Sequence, residues 1–277
     1  MPPNERAGAV FAAARTFDYD RGAYGVASER AVAVETPIEL AFGGAPFAVM
    51  MATPSDLEDF AFGFALTESI IERIEDIRGV EIRPVGAGVR LEVTLSGGRL
   101  AAHLARSRAM AGRTGCGLCG IGDLAHLPQP RSRVPAGAPI APSAVRAALQ
   151  ALEGAQPLNA ETRAVHGAAW CDRDGAILFA REDVGRHNAL DKLIGALARA
   201  AVDPTLGFIV LTSRCSFEMV AKAAAFGAAT VVSVSAPTSL ALERAGHSGI
   251  TLIAVARADQ ATIFDVAAQN ASGGIAA

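Results

Sequence analysis

Gly207-Phe208-Ile209-Val210-Leu211-Thr212-Ser213-Arg214-Cys215-Ser216 decides the fold. An unbroken apolar run gives way to a polar loop. Such a run, without polar alternation, is the pattern of a strand buried on both faces, as in a parallel sheet. Outward from it the pattern alternates: a helix over Arg186 to Ala200, the strand Gly207 to Leu211, a helix over Phe217 to Phe226, a strand over Thr230 to Val234, a helix over Ser239 to Ala245 and a strand over Ile250 to Val255. This order predicts an α/β layer with parallel strands. Polar residues gather at the strand ends, in Arg181 to Asn188, Thr212 to Ser216 and Ser235 to Ser239. Ligands of open α/β sheets bind outside the carboxyl ends of the strands, so the three loops form one candidate site. Arg214 stands where a helix begins, a position that favours an anion.

The first half reads differently. Residues 1 to about 25 show no pattern and are expected to be a flexible tail. From Ser28 the pattern turns β: Ala31 to Val34, then Ile38 to Phe42 and Pro46 to Met51 around Gly43-Gly44, a hairpin signal. Thr53-Pro54-Ser55-Asp56 opens a helix, with Pro54 suited to its first position and Ser55 and Glu58 spaced for a capping box. Phe60, Phe64 and Ile71 give it an apolar face. Glu81 to Val85 and Val89 to Leu95 form another strand pair. Pro128 to Pro142 reads as a linker, Ser143 to Leu152 as a helix, and Val165 to Cys171 with Ala176 to Ala180 as a hairpin around Asp172-Arg173-Asp174-Gly175. The expected organisation is a tail over 1–25, a β-rich subdomain over 26–130 and an α/β subdomain over 131–277.

Between the halves lies Arg113-Thr114-Gly115-Cys116-Gly117-Leu118-Cys119-Gly120. Glycine tolerates backbone angles other residues avoid, so the segment is expected to be an exposed loop that can present a thiol. Arg106, Arg108 and Arg113 precede it with no intervening acid, and nearby cations favour the reactive thiolate. Cys171 and Cys215 read as small core hydrophobes.

Composition limits the alternatives. Net charge is −3, without the basic excess of a nucleic-acid binder. Four cysteines, two of them in one Cys-x-x-Cys, do not make a secreted disulfide framework. The first thirty residues lack the apolar core of a signal peptide. The run from Ala223 to Leu242 is uncharged and long enough for a membrane span. It holds Gly227, Ser233, Ser235, Pro237, Thr238 and Ser239, however, and reads better as a strand and a turn. The chain is expected to be soluble and cytoplasmic.

Arg113 to Gly120, Glu182 to Lys192, Ser213 to Lys222 and Ser235 to Ala241, in this order, carry a resemblance. The chain resembles the formate dehydrogenase accessory sulfurtransferases, the FdhD family, from roughly Glu35 to Phe264. The resemblance implies a cytidine-deaminase-like core, a mixed sheet flanked by helices, usually in a homodimer. It implies that sulfur is accepted as a persulfide from a cysteine desulfurase. The sulfur is then passed to the bis-guanine-dinucleotide molybdenum (or tungsten) cofactor of the formate dehydrogenase catalytic subunit. Cys116, the first cysteine of the loop, is then the persulfide carrier, with Cys119 as assistant or plain loop residue. The family's nucleotide-cofactor segment corresponds to Val255, Ala256, Arg257, Ala258, Asp259 and Gln260. Where the family commonly has Arg-Gly-Gly-Arg, this chain has Arg257-Ala258-Asp259-Gln260; where it commonly has Gly-Gly before Val165-His166, this chain has Arg163-Ala164.

The polar loops add His187, Ser213, Arg214 and Phe217 as candidate cofactor contacts, with GDP as an analogue. His187 reads equally as a helix-start residue held by backbone, and Phe217 as a guanine-stacking ring or a core residue. Lys192 and Lys222 read as partners in helix-face ion pairs. The cysteine pair has three rival readings. A structural zinc site needs two more ligands, and only His126 or His103, irregularly spaced, are at hand. A thioredoxin-like dithiol wants its first cysteine at a helix start, which the flanking glycines oppose. A zinc deaminase needs Pro-Cys-x-x-Cys and a Glu beside its ligand, whereas Gly115 precedes Cys116 and Gly167-Ala168 follow His166. No metal site is expected. The different-class alternative is a non-catalytic cofactor carrier or chaperone for the same dehydrogenase.

Overall fold

The structure is a computed structural model that describes residues 8–101, 133–257 and 259–264. It opens with a long antiparallel ribbon, β1 (Ala9–Asp18) and β2 (Ala23–Ala33). The expected tail to about residue 25 is therefore corrected. The ribbon leaves its side chains exposed on both faces, so its sequence carries no one-sided apolar alternation by which to read it.

A four-stranded sheet follows. β3 (Thr36–Phe42) and β4 (Ala45–Ala52) form the hairpin expected around Gly43-Gly44, and both glycines take positive φ there. After α1 (Leu57–Thr67), strands β5 (Ile77–Val85) and β6 (Gly88–Leu95) complete the order β4-β3-β6-β5, with β3 and β6 parallel. Phe60 and Phe64 of α1 bury against Ile38, Leu40, Phe42, Leu91 and Val93. The helix starts later than the sequence suggests and without the Ser55–Glu58 capping box. Asp56 holds its N-cap position at a left-handed φ of 51°, no side chain caps it, and the Asp56 carboxylate lies 3.5 Å from Arg181 instead.

The second layer begins with α2 (Pro142–Ala151) and a short α3 (Pro157–Thr162) that sequence reading missed. Then come β7 (His166–Asp172), β8 (Ile177–Asp183), α4 (Arg186–Arg199), β9 (Gly207–Leu211), α5 (Phe217–Phe226), β10 (Thr230–Ser233), α6 (Ser239–Ser248), β11 (Thr251–Ala254) and β12 (Thr262–Phe264). The strand order is β12-β11-β10-β9-β7-β8. β9, β10 and β11 are parallel as expected, while β7 and β12 run antiparallel to their neighbours, so the sheet is mixed. Ile209, Leu211, Val231 and Leu252 face α4, α5 and α6; Phe208, Val210, Val232 and Ile253 face α2. Both faces are covered, which is why these strands read as continuous apolar runs.

The two layers join where α1 crosses α4. A β-carbon on Gly63 would collide with the backbone carbonyl of Asp191, and one on Gly195 with that of Asp59. Charges surround the crossing. Asp59 pairs with Arg181 at 2.7 Å and with Arg199 at 2.5 Å. Lys192 pairs with Asp183 at 2.6 Å, both fully buried, and Lys222 with Asp191 at 2.9 Å. The two lysines thus pair as expected, but inside the protein rather than along an exposed helix face. Burial pushes Lys222 down, but the facing carboxylates of Asp191 and Glu68 outweigh it and hold the ammonium above its ordinary value.

Candidate functional site

β8 and β9 are each antiparallel to β7, so β8 runs in the same direction as β9, β10 and β11. Their carboxyl ends therefore lie along one edge of the sheet. The loops there are stitched together by backbone. Val234 N–H donates to Leu211 O at 2.9 Å, Cys215 N–H to Ala236 O at 3.3 Å and Thr238 N–H to Cys215 O at 3.1 Å. The Ser233 hydroxyl donates to Ser213 O at 2.8 Å. The second and third of the polar loops singled out by sequence thus form one continuous rim, and the first, Arg181 to Asn188, meets it where His187 contacts Glu218.

Helices α4, α5 and α6 start from this rim, with Gly185, Ser216 and Thr238 at their N-cap positions. Helix starts expose unpaired N–H groups and carry partial positive charge. Thr238 accepts from Ala241 N–H at 3.3 Å and caps α6. Gly185 has no side chain with which to cap, and the buried Ser216 Oγ has no hydrogen-bond partner among the described residues. The buried Arg186 Nε, in the first turn of α4, is likewise unpartnered among them. Buried polar groups are nearly always hydrogen-bonded, so an orphan asks for an explanation such as an absent ligand. These donors suit an anion.

His187 sits beside them. Its Nε2 lies 3.0 Å from Glu218 Oε2, linking the first turns of α4 and α5, although it gains no aligned hydrogen bond. Burial pushes the Glu218 carboxyl up, but His187, Lys222 and Arg186 outweigh it and hold the group below its ordinary value. His166, at the start of β7 on the same edge, pairs in register with Asp183. Burial and the neighbouring Arg186 charge pull its imidazole below the ordinary histidine value, with Asp183 opposing. Asp183 shapes the turn: its carboxylate accepts from Gly185 N–H at 2.7 Å, Asn188 Nδ2 at 3.0 Å and Thr53 N–H at 3.0 Å. Arg186, Ser216, Glu218 and His166 were not among the residues singled out by sequence as contacts. Their burial without partners, or in mutual contact, has no signal in one sequence.

The other expected contacts fall as follows. Ser213 is buried, and its hydroxyl donates to Arg214 O at 3.0 Å, so it serves the loop. Arg214 is exposed and precedes the N-cap of α5 rather than standing within the helix. Phe217 is half-buried and belongs to none of the core clusters among the described residues, which leaves its ring at the rim. Val255 N–H donates to Ser235 O at 3.1 Å and Ala256 N–H to Ser233 O at 3.1 Å, so the segment after β11 adjoins the rim. Val255 adopts a left-handed φ of 52°, a strained conformation for a β-branched residue. The Arg257 guanidinium donates to the carbonyls of Val234 and Ala256, and the Arg257 backbone N–H donates to Gln260 O at 2.7 Å, so the residue is engaged with backbone. Asp259 and Gln260 are exposed. Ala258, Cys116 and Cys119 lie outside the described residues, as do Arg106, Arg108 and Arg113. Cys171 and Cys215 are buried, and burial pushes both thiols up to about 12, consistent with their reading as core residues. Among the described residues no group of three His, Cys, Asp or Glu side chains could hold a metal ion, and no helix is long and apolar enough to cross a membrane.

The sequence profile of the FdhD/NarQ family matches residues 33–270. The chain belongs to the FdhD/NarQ family. Members it resembles include the sulfur carrier protein FdhD of Bordetella petrii, 48% identical over 233 residues that make up 84% of each chain. The protein of the same name from Xanthomonas campestris pv. campestris is 45% identical, over 90% of this chain and 89% of its own. Among solved structures, a putative formate dehydrogenase accessory protein from Desulfotalea psychrophila superposes with a TM-score of 0.71 at 24% identity, covering 92% of this chain and 96% of that one. The likeness extends over the mixed sheet flanked by helices described above.

Proposed function

We propose that this protein is a sulfur carrier that serves the maturation of formate dehydrogenase through a persulfide at Cys116. The observation that carries the reading is family membership, with relatives named sulfur carrier protein FdhD at 45–48% identity over most of the chain. The chain keeps a glycine-flanked Cys116-x-x-Cys119 downstream of three arginines. In this reading the Cys116 thiolate attacks the outer sulfur of a cysteine desulfurase persulfide. The S–S bond of the donor breaks, the donor cysteine leaves as thiolate, and Cys116 holds the sulfur. The substrate that receives it is the bis-guanine-dinucleotide molybdenum (or tungsten) cofactor bound for the formate dehydrogenase catalytic subunit. Its guanine-dinucleotide end would lie on the rim, a phosphate against Arg186 Nε, Ser216 Oγ and the starts of α4 and α5, with Phe217 placed to stack on a base. The orphaned donors support this placement. The reading further takes the second layer as a cytidine-deaminase-like core and assigns the protein to the cytoplasm as a homodimer. Its division is a β-rich subdomain to residue 130 and an α/β subdomain from 131.

Mass spectrometry after incubation with a cysteine desulfurase and cysteine tests the reading. A mass gain of one sulfur atom is expected on the peptide holding Cys116, lost in Cys116→Ala together with activation of the dehydrogenase. Cofactor binding with no adduct, or full activation by Cys116→Ala, would replace it with the non-catalytic carrier or chaperone.

A further inference from the structure

One acid stands among the donors of the rim. Ser216 Oγ and Arg186 Nε are buried without hydrogen-bond partners among the described residues, where α4 and α5 begin. The Glu218 carboxylate belongs to the first turn of α5, two residues after Ser216. Burial opposes its charge, but His187, Lys222 and Arg186 hold it below the ordinary carboxylate value, so it is ionised near neutral pH. An anion that takes the donors of Arg186 and Ser216 therefore comes close to a negative charge, and like charges repel. His187 meets this acid directly. Its Nε2 is buried and 3.0 Å from Glu218 Oε2, yet it lacks an aligned hydrogen bond. A neutral imidazole brings no charge to that contact, whereas an imidazolium brings a full one and a proton on each nitrogen.

The other charged groups around the pair are already committed. On α5, Lys222 is paired with Asp191 at 2.9 Å and with Glu68, at the end of α1, at 3.0 Å. At the end of β8, Asp183 pairs with Lys192 at 2.6 Å and accepts from Gly185, Asn188 and Thr53. On β7, His166 is held toward its neutral form, by burial first, then by Arg186 and His187, with Asp183 opposing. On α4 itself, Arg186 stays charged throughout, as arginine does. That leaves His187, of the residue type that gains and loses a proton between about pH 5 and 8.

We propose that anion binding at the rim is coupled to a proton on His187: the ring is charged while the anion is bound, and the site loosens its hold as pH rises. The inference rests on the rim placement proposed above and adds its regulation. With the anion in place the imidazolium faces two negative charges, Glu218 and the ligand. An opposite charge within about 4–6 Å shifts a titration by about 1–3 units, and one unit is about a factor of ten. Coupling is reciprocal, so the proton tightens the anion by the same factor by which the anion tightens the proton. The proton comes from solvent and returns to it on release, and no covalent bond to the ligand forms.

Calorimetry of the full chain with diguanosine diphosphate, two guanosines joined through a pyrophosphate, tests it between about pH 5.5 and 8.5. The phosphates of this probe are diesters of fixed charge in that range, so a proton taken up belongs to the protein. Affinity should rise about tenfold or more from the upper limit to the lower. Buffers of different ionisation enthalpy should show proton uptake on binding near neutrality. His187→Gln keeps a hydrogen-bonding side chain but gains no charge, and its affinity should no longer follow pH. Because a variant also alters packing, the wild type is read directly by NMR. At one pH near neutrality, adding the probe should shift the His187 ring resonances toward the charged form. Wild-type affinity that ignores pH, or a ring that does not respond, would overturn the proposal and leave the rim placement standing. Retained pH dependence in His187→Gln, or its loss in His166→Gln alone, would assign the proton to another group and overturn it as well. Absence of binding at every pH would overturn the proposal and the rim placement together, while the persulfide assay reads sulfur on Cys116 independently of either.

Discussion

Arg186 and Arg214 would contribute unequally to the anion site proposed at the rim. The Arg186 Nε is buried and unpartnered among the described residues, whereas Arg214 is exposed. A hydrogen bond from a charged donor contributes roughly 1.5–3 kcal/mol when sheltered, while exposed ion pairs contribute about 1 kcal/mol or less. Arg186→Ala should therefore weaken GDP about ten- to a hundredfold by calorimetry, using about 1.4 kcal/mol per decade, and Arg214→Ala only a few-fold. Equal affinity in both variants and the wild type would move the nucleotide off this rim. His166 allows a second test at the same scale. Its folded value is lowered from 6.5, by burial first and then by Arg186. The unfolded chain therefore binds the extra proton more readily, so stability is fully present above the ordinary histidine value and declines as pH falls through it. Thermal midpoints of the wild type should fall on acidification through that window, and His166→Gln should flatten the slope. An unchanged slope would show that His166 does not set it.

At the scale of elements, the crossing of α1 and α4 depends on two positions without side chains. Alanine is the better helix former by about 1 kcal/mol in an exposed helix. In Gly195→Ala, however, the new methyl meets the carbonyl of Asp59. Overpacking of this kind costs about 1–3 kcal/mol, so a net loss of stability by urea denaturation is expected, with a rise instead showing that the helices can part without cost. Neither glycine stands out in the sequence, because a close approach depends on which helix arrives opposite. The strands of the second sheet were legible for the opposite reason. Gly207–Leu211 and Phe217–Phe226 appear at the boundaries read from sequence, since burial on both faces and an amphipathic helix leave direct patterns. The ribbon left no such pattern, and Asp56 turned away from helical geometry toward Arg181. At the site, the polar loops were legible as loops. Which of their atoms lack partners, and that Arg257 is engaged with backbone, depends on contacts that only the folded chain creates.

Across the whole molecule, one buried cluster connects the first layer to the rim. The Lys192 ammonium donates to Thr53 O at 2.8 Å as well as pairing with Asp183, and Val184 N–H donates to Thr53 Oγ1 at 3.1 Å. Asn188 extends the link, donating to Met51 O at 2.9 Å and to Asp183. The end of β4 and the turn that presents Arg186 and His187 therefore share one set of hydrogen bonds. Burial pulls Lys192 below the ordinary ammonium value, against the pull of Asp183. A pair in this position contributes little net stability compared with a well-packed apolar pair, but breaking it leaves a buried charge without compensation. Lys192→Met removes the cation, keeps most of the volume and leaves the Asp183 carboxylate facing only neutral donors. The expected loss is about 3–5 kcal/mol. If that loss is the stranded charge and not poor packing, adding Asp183→Asn should return part of it, so the double variant should be more stable than Lys192→Met alone. The single variant should also bind GDP more weakly, because the turn carrying Arg186 loses its anchor to Thr53. Denaturant unfolding and calorimetry on the two variants read both effects. A double variant no more stable than Lys192→Met would show that the loss is not the stranded charge, and unchanged GDP affinity would show that the first layer holds the rim by other means.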